Sequence, residues 1–209
     1  MWSKFNRGKD KNNNQPFFRF NRLSLGFLLI IVLIVLLITG CARWPDGGGG
    51  DKKKLLIIRV ELGENGKINT DLGKYYLVFN TDSSATQPPS GYIEEWEKGY
   101  HYIKLDNMGF CFGKWGSVCQ YTSIGDKGEK YFSININLDS LGNPKKIFMN
   151  VLTTDNKDKS YDSMNNPLDL TIDASITNFS KIVQDFTGDS EGGPDFDISK
   201  VSLSLVSQG

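Results

Sequence analysis

The chain has 209 residues with 24 basic and 24 acidic side chains, so its formal net charge is zero. Apolar residues make up 39% and charged residues 23%, the balance of a globular domain with a core, which excludes a chain disordered throughout. There is no basic excess of the kind a nucleic-acid binder shows, and one histidine leaves no material for a His-rich metal site or a histidine relay.

The neutrality is a sum over unlike parts. Residues 1–22 hold six bases (Lys4, Arg7, Lys9, Lys11, Arg19, Arg22) against Asp10, residues 23–42 carry no charge, and residues 43–209 hold 18 bases and 23 acids. A basic head, an uncharged apolar run and an acidic body is the order of an exported protein held at a membrane. The apolar run, Leu23–Gly40, approaches the ~20 residues that span a bilayer. It ends in Ile38-Thr39-Gly40-Cys41, a stretch that resembles the lipobox of bacterial lipoproteins. The resemblance implies that residues 1–40 are a signal peptide, that cleavage falls between Gly40 and Cys41, and that the Cys41 thiol carries a diacylglyceryl group. The alternative is an uncleaved signal-anchor in which Cys41 is incidental. Either way the body lies on the extracytoplasmic side of the cell membrane, because the basic end stays inside.

Residues 41–54 read as a tether, since Gly47–Gly50 cannot pack and lose much entropy when ordered. The lysines at 52–54 either lie against anionic headgroups or simply end a solvated linker. The folded domain is expected over 55–209.

That domain reads as strands. In residues 130–139 Phe132, Ile134, Ile136 and Leu138 alternate with Tyr131, Ser133, Asn135 and Asn137, the period of a strand with one buried face. Leu141-Gly142-Asn143-Pro144 is a turn, and residues 145–154 follow as a strand apolar on both faces, hence central. Further strands are expected at 55–62, 74–80, 99–106, 167–174 and 196–206, with turns at 64–66, 88–91 and 192–195. In residues 176–186 the apolar positions fit a short helix as well as a strand. Many short strands without helical crossovers predict a mostly-β fold, an antiparallel β-sandwich of Ig-like or jelly-roll-like kind.

With Cys41 assigned to lipid, Cys111 and Cys119 remain. They flank a segment whose Gly113 and Gly116 suit a hairpin tip, and export permits a Cys111–Cys119 disulfide.

Aromatic residues concentrate in 92–121, with 8 in 30 positions against 25 in the whole chain. Aromatic faces stack on sugar rings while neighbouring polar groups take the hydroxyls. Trp96, Tyr100, Trp115 and Tyr121 are the candidate ligand-binding residues. Glu95, Lys98, Asp106 and Asn107 stand beside them as polar partners. Trp96 and Trp115 lie among Glu, Lys and Gly and are expected at the surface, although a buried tryptophan is the commoner fate. The loop 185–197 holds Asp185, Asp189, Glu191, Asp195 and Asp197 without a base. Asp189, Glu191, Asp195 and Asp197 are candidate Ca²⁺ ligands, against the plainer reading of a solvated acidic loop. The run 155–162 is a weaker acidic signal.

No G-x-S-x-G elbow surrounds any serine, and nothing singles out a carboxylate pair for glycoside hydrolysis. Residues 131–155, followed by 161–173, are similar to the later strands of DOMON-type sandwiches and their carbohydrate-binding relatives, through the Leu138–Leu141–Gly142 turn and the strand Ile147 to Val151. Members bind sugars or haem. A haem iron would draw on an axial pair such as His101 with Met108, Met149 or Met164. The expected function is non-catalytic binding of a glycan or another cell-envelope component. The alternatives are a structural or assembly subunit that binds another envelope protein, and a glycan-active enzyme.

Overall fold

The computed structural model describes residues 53–176 and 178–208. The apolar run Leu23–Gly40, Cys41 and the glycines 47–50 lie outside them. Among the described residues no helix is long and apolar enough to cross a membrane.

In chain order the strands are β1 Lys53–Leu62, β2 Gly73–Asn80, β3 His101–Asp106, β4 Gly109–Lys114, β5 Gln120–Tyr121, β6 Gly125–Lys127, β7 Tyr131–Asn137, β8 Lys146–Asp155, β9 Ser160–Ser163, β10 Ile172–Asp173, β11 Phe179–Gln184 and β12 Ile198–Gln208. They form two sheets, both antiparallel. The five-stranded sheet has the order β11-β12-β1-β7-β6. The seven-stranded sheet runs β10-β8-β2-β3-β4-β5, with β9 on the same edge of β8 as β10 but farther along it.

The alternation read from the sequence sets the five-stranded sheet. Phe132, Ile134 and Ile136 of β7 face Val60, Ile58 and Leu56 of β1, and Val201, Leu203 and Leu205 of β12 cover its other side. The opposite face is polar: Arg59 pairs with Glu61 and lies 3.5 Å from the Tyr131 ring centroid, and Lys200 also pairs with Glu61. Leu77 and Phe79 of β2, Ile103 and Leu105 of β3, and Met149 and Val151 of β8 join the same apolar core from the other sheet. As expected, β8 is central and buried on both faces.

Several boundaries differ from the sequence reading, among them that of the last strand, which runs Ile198–Gln208 rather than 196–206 because Pro194–Phe196 is a 3-10 turn. β1 begins at Lys53, so Lys53 and Lys54 are strand residues and the Lys54 ammonium donates to the Ala174 carbonyl. β3 begins at His101, because Gly99 turns the chain at φ 97°. Residues 167–174 are not one strand. Pro167 has no N–H for a ladder and its fixed φ opens a 3-10 turn, Pro167–Leu170, which leaves only Ile172–Asp173 to pair with β8. Between 176 and 186 the strand wins over the helix. β12 is eleven residues long and its outer edge takes β11 as a partner, from Phe179 opposite Leu205 to Gln184 opposite Lys200.

Ile134 is fully buried between Ile58 and Gly125, whereas the next residue, Asn135, is exposed. Ile134→Ala is therefore expected to cost about 2–5 kcal/mol in chemical denaturation. Asn135→Ala should stay within about 0.5 kcal/mol of the native chain.

Candidate functional site

The seven-stranded sheet is apolar on its outer face as well. Tyr76 and Val78 of β2, Tyr102 of β3 and Leu152 of β8 form a second buried cluster there, closed by Ile93 and Trp96 from the 80–100 connection. A 3-10 turn, Ile93–Glu95, delivers Trp96 to this surface. Trp96 is only 5% exposed, and its Nε1 donates to the Ser90 carbonyl at 2.9 Å. The expected surface position of Trp96 is thus corrected: an apolar sheet face needs a lid, and the largest side chain of the connection supplies it. Trp115, half-buried in the loop between β4 and β5, meets Trp96 edge-on at 5.1 Å and Tyr102 at 5.7 Å.

The Cys111–Cys119 disulfide ties down this loop. Gly116 takes φ 86° at the tip, a conformation that favours glycine, and a Cβ on Gly113 would press on Cys119 at 3.0 Å. Tyr121 lies farther along the same sheet. Its hydroxyl donates to Asp106 Oδ2 at 2.9 Å, and Lys104 lies 2.7 Å from that carboxylate and above the Tyr121 ring. Burial works against the Asp106 charge, but Lys104, the Met108 N–H and the Tyr121 hydroxyl outweigh it and hold the carboxyl below its ordinary range.

Of the four predicted aromatic residues, Tyr100 lines an open cleft of about 600 Å³. Its other walls are almost all polar and include Asn80, Asp82, Thr86, Gln87, Glu97 and Lys98. His101, next in sequence, turns to the opposite face and stacks on Phe112 at 6.0 Å, with Nδ1 buried and without a hydrogen-bond partner. Burial lowers its pKa, and the Lys114 charge lowers it further. Of the methionines considered beside it, Met149 and Met164 belong to the inner core and Met108 is exposed.

A separate cluster is acidic. Carboxylate oxygens of Asp162 on β9, Asp189 in the loop after β11, and Asp197 at the start of β12 all lie within 4.8 Å of one another. The predicted Ca²⁺ set is therefore split. Asp189 and Asp197 belong to the cluster. Glu191 instead pairs with Lys159 at 3.0 Å, and Asp195 accepts from the Lys67 N–H and the Asn69 amide. Asp185 stands beside the cluster, linked through the Asn165 side-chain amide, which donates to Asp185 Oδ1 and Asp189 Oδ2, both at 2.9 Å.

Asp162 was not singled out in the sequence, where it is the last member of a solvated-looking run. The available signal was an aspartate between Tyr161 and Ser163 in a segment of strand-like residues. Burial pushes the Asp162 carboxyl up to about 7, the Ile198 N–H opposes this, and the Asp189 and Asp185 charges add to it. Burial likewise raises Asp185.

No protein-family model, curated protein or solved structure matches the chain.

The raised Asp162 pKa fixes the sign of a pH effect. The folded chain holds this proton up to about 7, while the unfolded chain releases it near 3.8. The resulting stability is complete below about 4 and is lost as pH rises through about 7. Asp162→Asn is neutral throughout. In chelating buffer its thermal midpoint should match the native chain near pH 4 and exceed it above pH 7, by the equivalent of a few kcal/mol at most. Parallel midpoints across that range would contradict the assignment.

Proposed function

We propose that the chain is a bacterial lipoprotein, anchored through acylated Cys41, that displays a non-catalytic β-sandwich for binding a glycan or another cell-envelope component. The apolar core shared by both sheets supports the sandwich. The cleft at Tyr100 carries the binding reading: one aromatic ring amid amide, hydroxyl, carboxylate and ammonium groups is the lining that a polyhydroxylated ligand needs. The Trp96–Trp115–Tyr102 contacts form a stiff backing beside it.

A second reading, docking of another envelope protein, is favoured by the exposed apolar side chains of Ile176, Ile182 and Phe186 in and around β11, together with Leu168.

With the full chain in detergent, calorimetric titration against a panel of envelope polysaccharides should show binding of at least one. Tyr100→Ala should weaken that binding at least tenfold while the chain still unfolds in one cooperative transition. Silence across the panel, or native affinity in Tyr100→Ala, would rule the cleft out. Mass spectrometry of the native N-terminus should find Cys41 lipidated and residues 1–40 removed; an unmodified chain from Met1 would refute the anchor.

A further inference from the structure

We infer that the Tyr100 cleft is one end of a longer groove, and that its ligand is an uncharged glycan chain of several sugar units lying across two adjoining hollows. This rests on the glycan reading of that cleft and adds to it a second subsite and a ligand class.

The second hollow has a volume of about 490 Å³. Thr86, Gln87 and Pro88 line both it and the cleft. The sheet beneath accounts for their meeting. Side chains two residues apart on a strand share a face, so Asn80 lies on the outer face of β2 with Val78 and Tyr76. Asn150 of β8 pairs with Val78, and Ser163 of β9 pairs with Leu152, which puts both on that same face. Asn80 in the first hollow and Asn150 in the second are diagonal neighbours across β2 and β8, roughly 7–8 Å apart. Both hollows therefore stand over one strip of sheet, with the 86–91 segment between them.

That segment is held in place. Three successive carbonyls accept side-chain hydrogen bonds: Pro89 from Asn150 Nδ2 at 3.0 Å, Ser90 from Trp96 Nε1 at 2.9 Å, and Gly91 from Ser160 Oγ at 2.9 Å. Pro88 and Pro89 also have fixed φ. A groove whose divider is already ordered loses little entropy when a ligand enters.

The linings select the ligand. The second hollow has no charged side chain in its wall. It offers the exposed amides of Gln87 and Asn166 and the exposed apolar side chain of Leu168. The Asn166 side chain does not cap the 3-10 turn that it precedes, so the turn does not consume its amide. Amides suit hydroxyl and acetamido groups, and Leu168 suits the C–H face of a sugar ring. The first hollow carries Asp82 and Glu97 against Lys98, an excess of one negative charge. A polyanion meets repulsion in the first hollow and no cation in the second, whereas an uncharged chain meets neither penalty. Once one end of such a chain is bound, contact with the other hollow becomes intramolecular, so affinity rises with chain length.

The test is calorimetry of the full chain in detergent with soluble oligosaccharides of glucose, mannose and N-acetylglucosamine, from disaccharide to hexasaccharide. Hyaluronan oligosaccharides serve as polyanionic comparators. At least one neutral series should gain about tenfold or more in affinity from disaccharide to hexasaccharide, and should bind at least tenfold more tightly than hyaluronan of equal length. Asn166→Ala/Leu168→Ala, a double change at exposed positions, should bring the ratio of hexasaccharide to disaccharide affinity close to one. Tyr100→Ala should weaken both lengths. Equal affinity at the two lengths, a native ratio in the double variant, or hyaluronan bound as tightly as the neutral series would overturn the groove and leave the Tyr100 cleft standing. So would silence of all three neutral series where an envelope polysaccharide binds. Silence of the polysaccharides as well would remove the cleft reading with it.

Discussion

The seven-stranded sheet is apolar on both faces, and most of what distinguishes this domain follows from that. One face packs into the core shared with the other sheet; the second, carrying Tyr76, Val78, Tyr102 and Leu152, has no sheet to pack on. Leaving it in water would forfeit roughly 25 cal/mol for each Å² of apolar surface. The connection between β2 and β3 folds over it instead and spends Ile93 and Trp96 as cover, while the disulfide-tied loop after β4 brings Trp115 to the same place. The cleft at Tyr100 lies along this lid, lined by residues at both ends of the connection. A rigid aromatic base and a polar rim arise from one requirement, the covering of a second apolar face.

The acidic cluster obeys the opposite rule. Asp162 sits in a strand whose neighbours need burial, and Asp197 sits where the chain enters β12 from the 3-10 turn Pro194–Phe196. Main-chain pairing places both carboxylates inside and supplies each with N–H donors, but not with a counter-charge. The domain thus holds apolar surface hidden under a lid at one site and, among the described residues, carboxyl groups hidden without a basic partner at another, one of which, Asp162, keeps its proton up to about 7. Each is a departure from the simple half-buried strand, and each marks a place where binding chemistry can reside.

Much of the fold was legible in the sequence. The alternation of Phe132, Ile134 and Ile136, that of Val201, Leu203 and Leu205, the two-sided burial of β8, the turn at Gly142 and the Cys111–Cys119 bridge are each local patterns, and local patterns survive folding. The candidate sites were legible only in part. Tyr100, expected as a ligand contact, lines a cleft, but Trp96 looked exposed because its sequence neighbours are charged, and charged neighbours say nothing about a sheet that arrives from elsewhere. Asp189 and Asp197, named together from the sequence, do come together, while Asp162 was passed over because it lies 35 positions from Asp197 in the chain.

The sequence alone therefore determined the period and buried face of the alternating strands β7 and β12, the two-sided burial of β8 and the partition of charge between a basic head and an acidic body, since these depend on residues a few positions apart; it missed the strands β4, β5, β6 and β9. Tertiary structure decided which aromatic rings become cover and which line a cleft. It also decided that 176–186 would be an edge strand, and which aspartates would meet. The physical reason is that side-chain direction repeats every two residues along a strand, whereas pairing, covering and the convergence of charges depend on which distant segments the two sheets bring together.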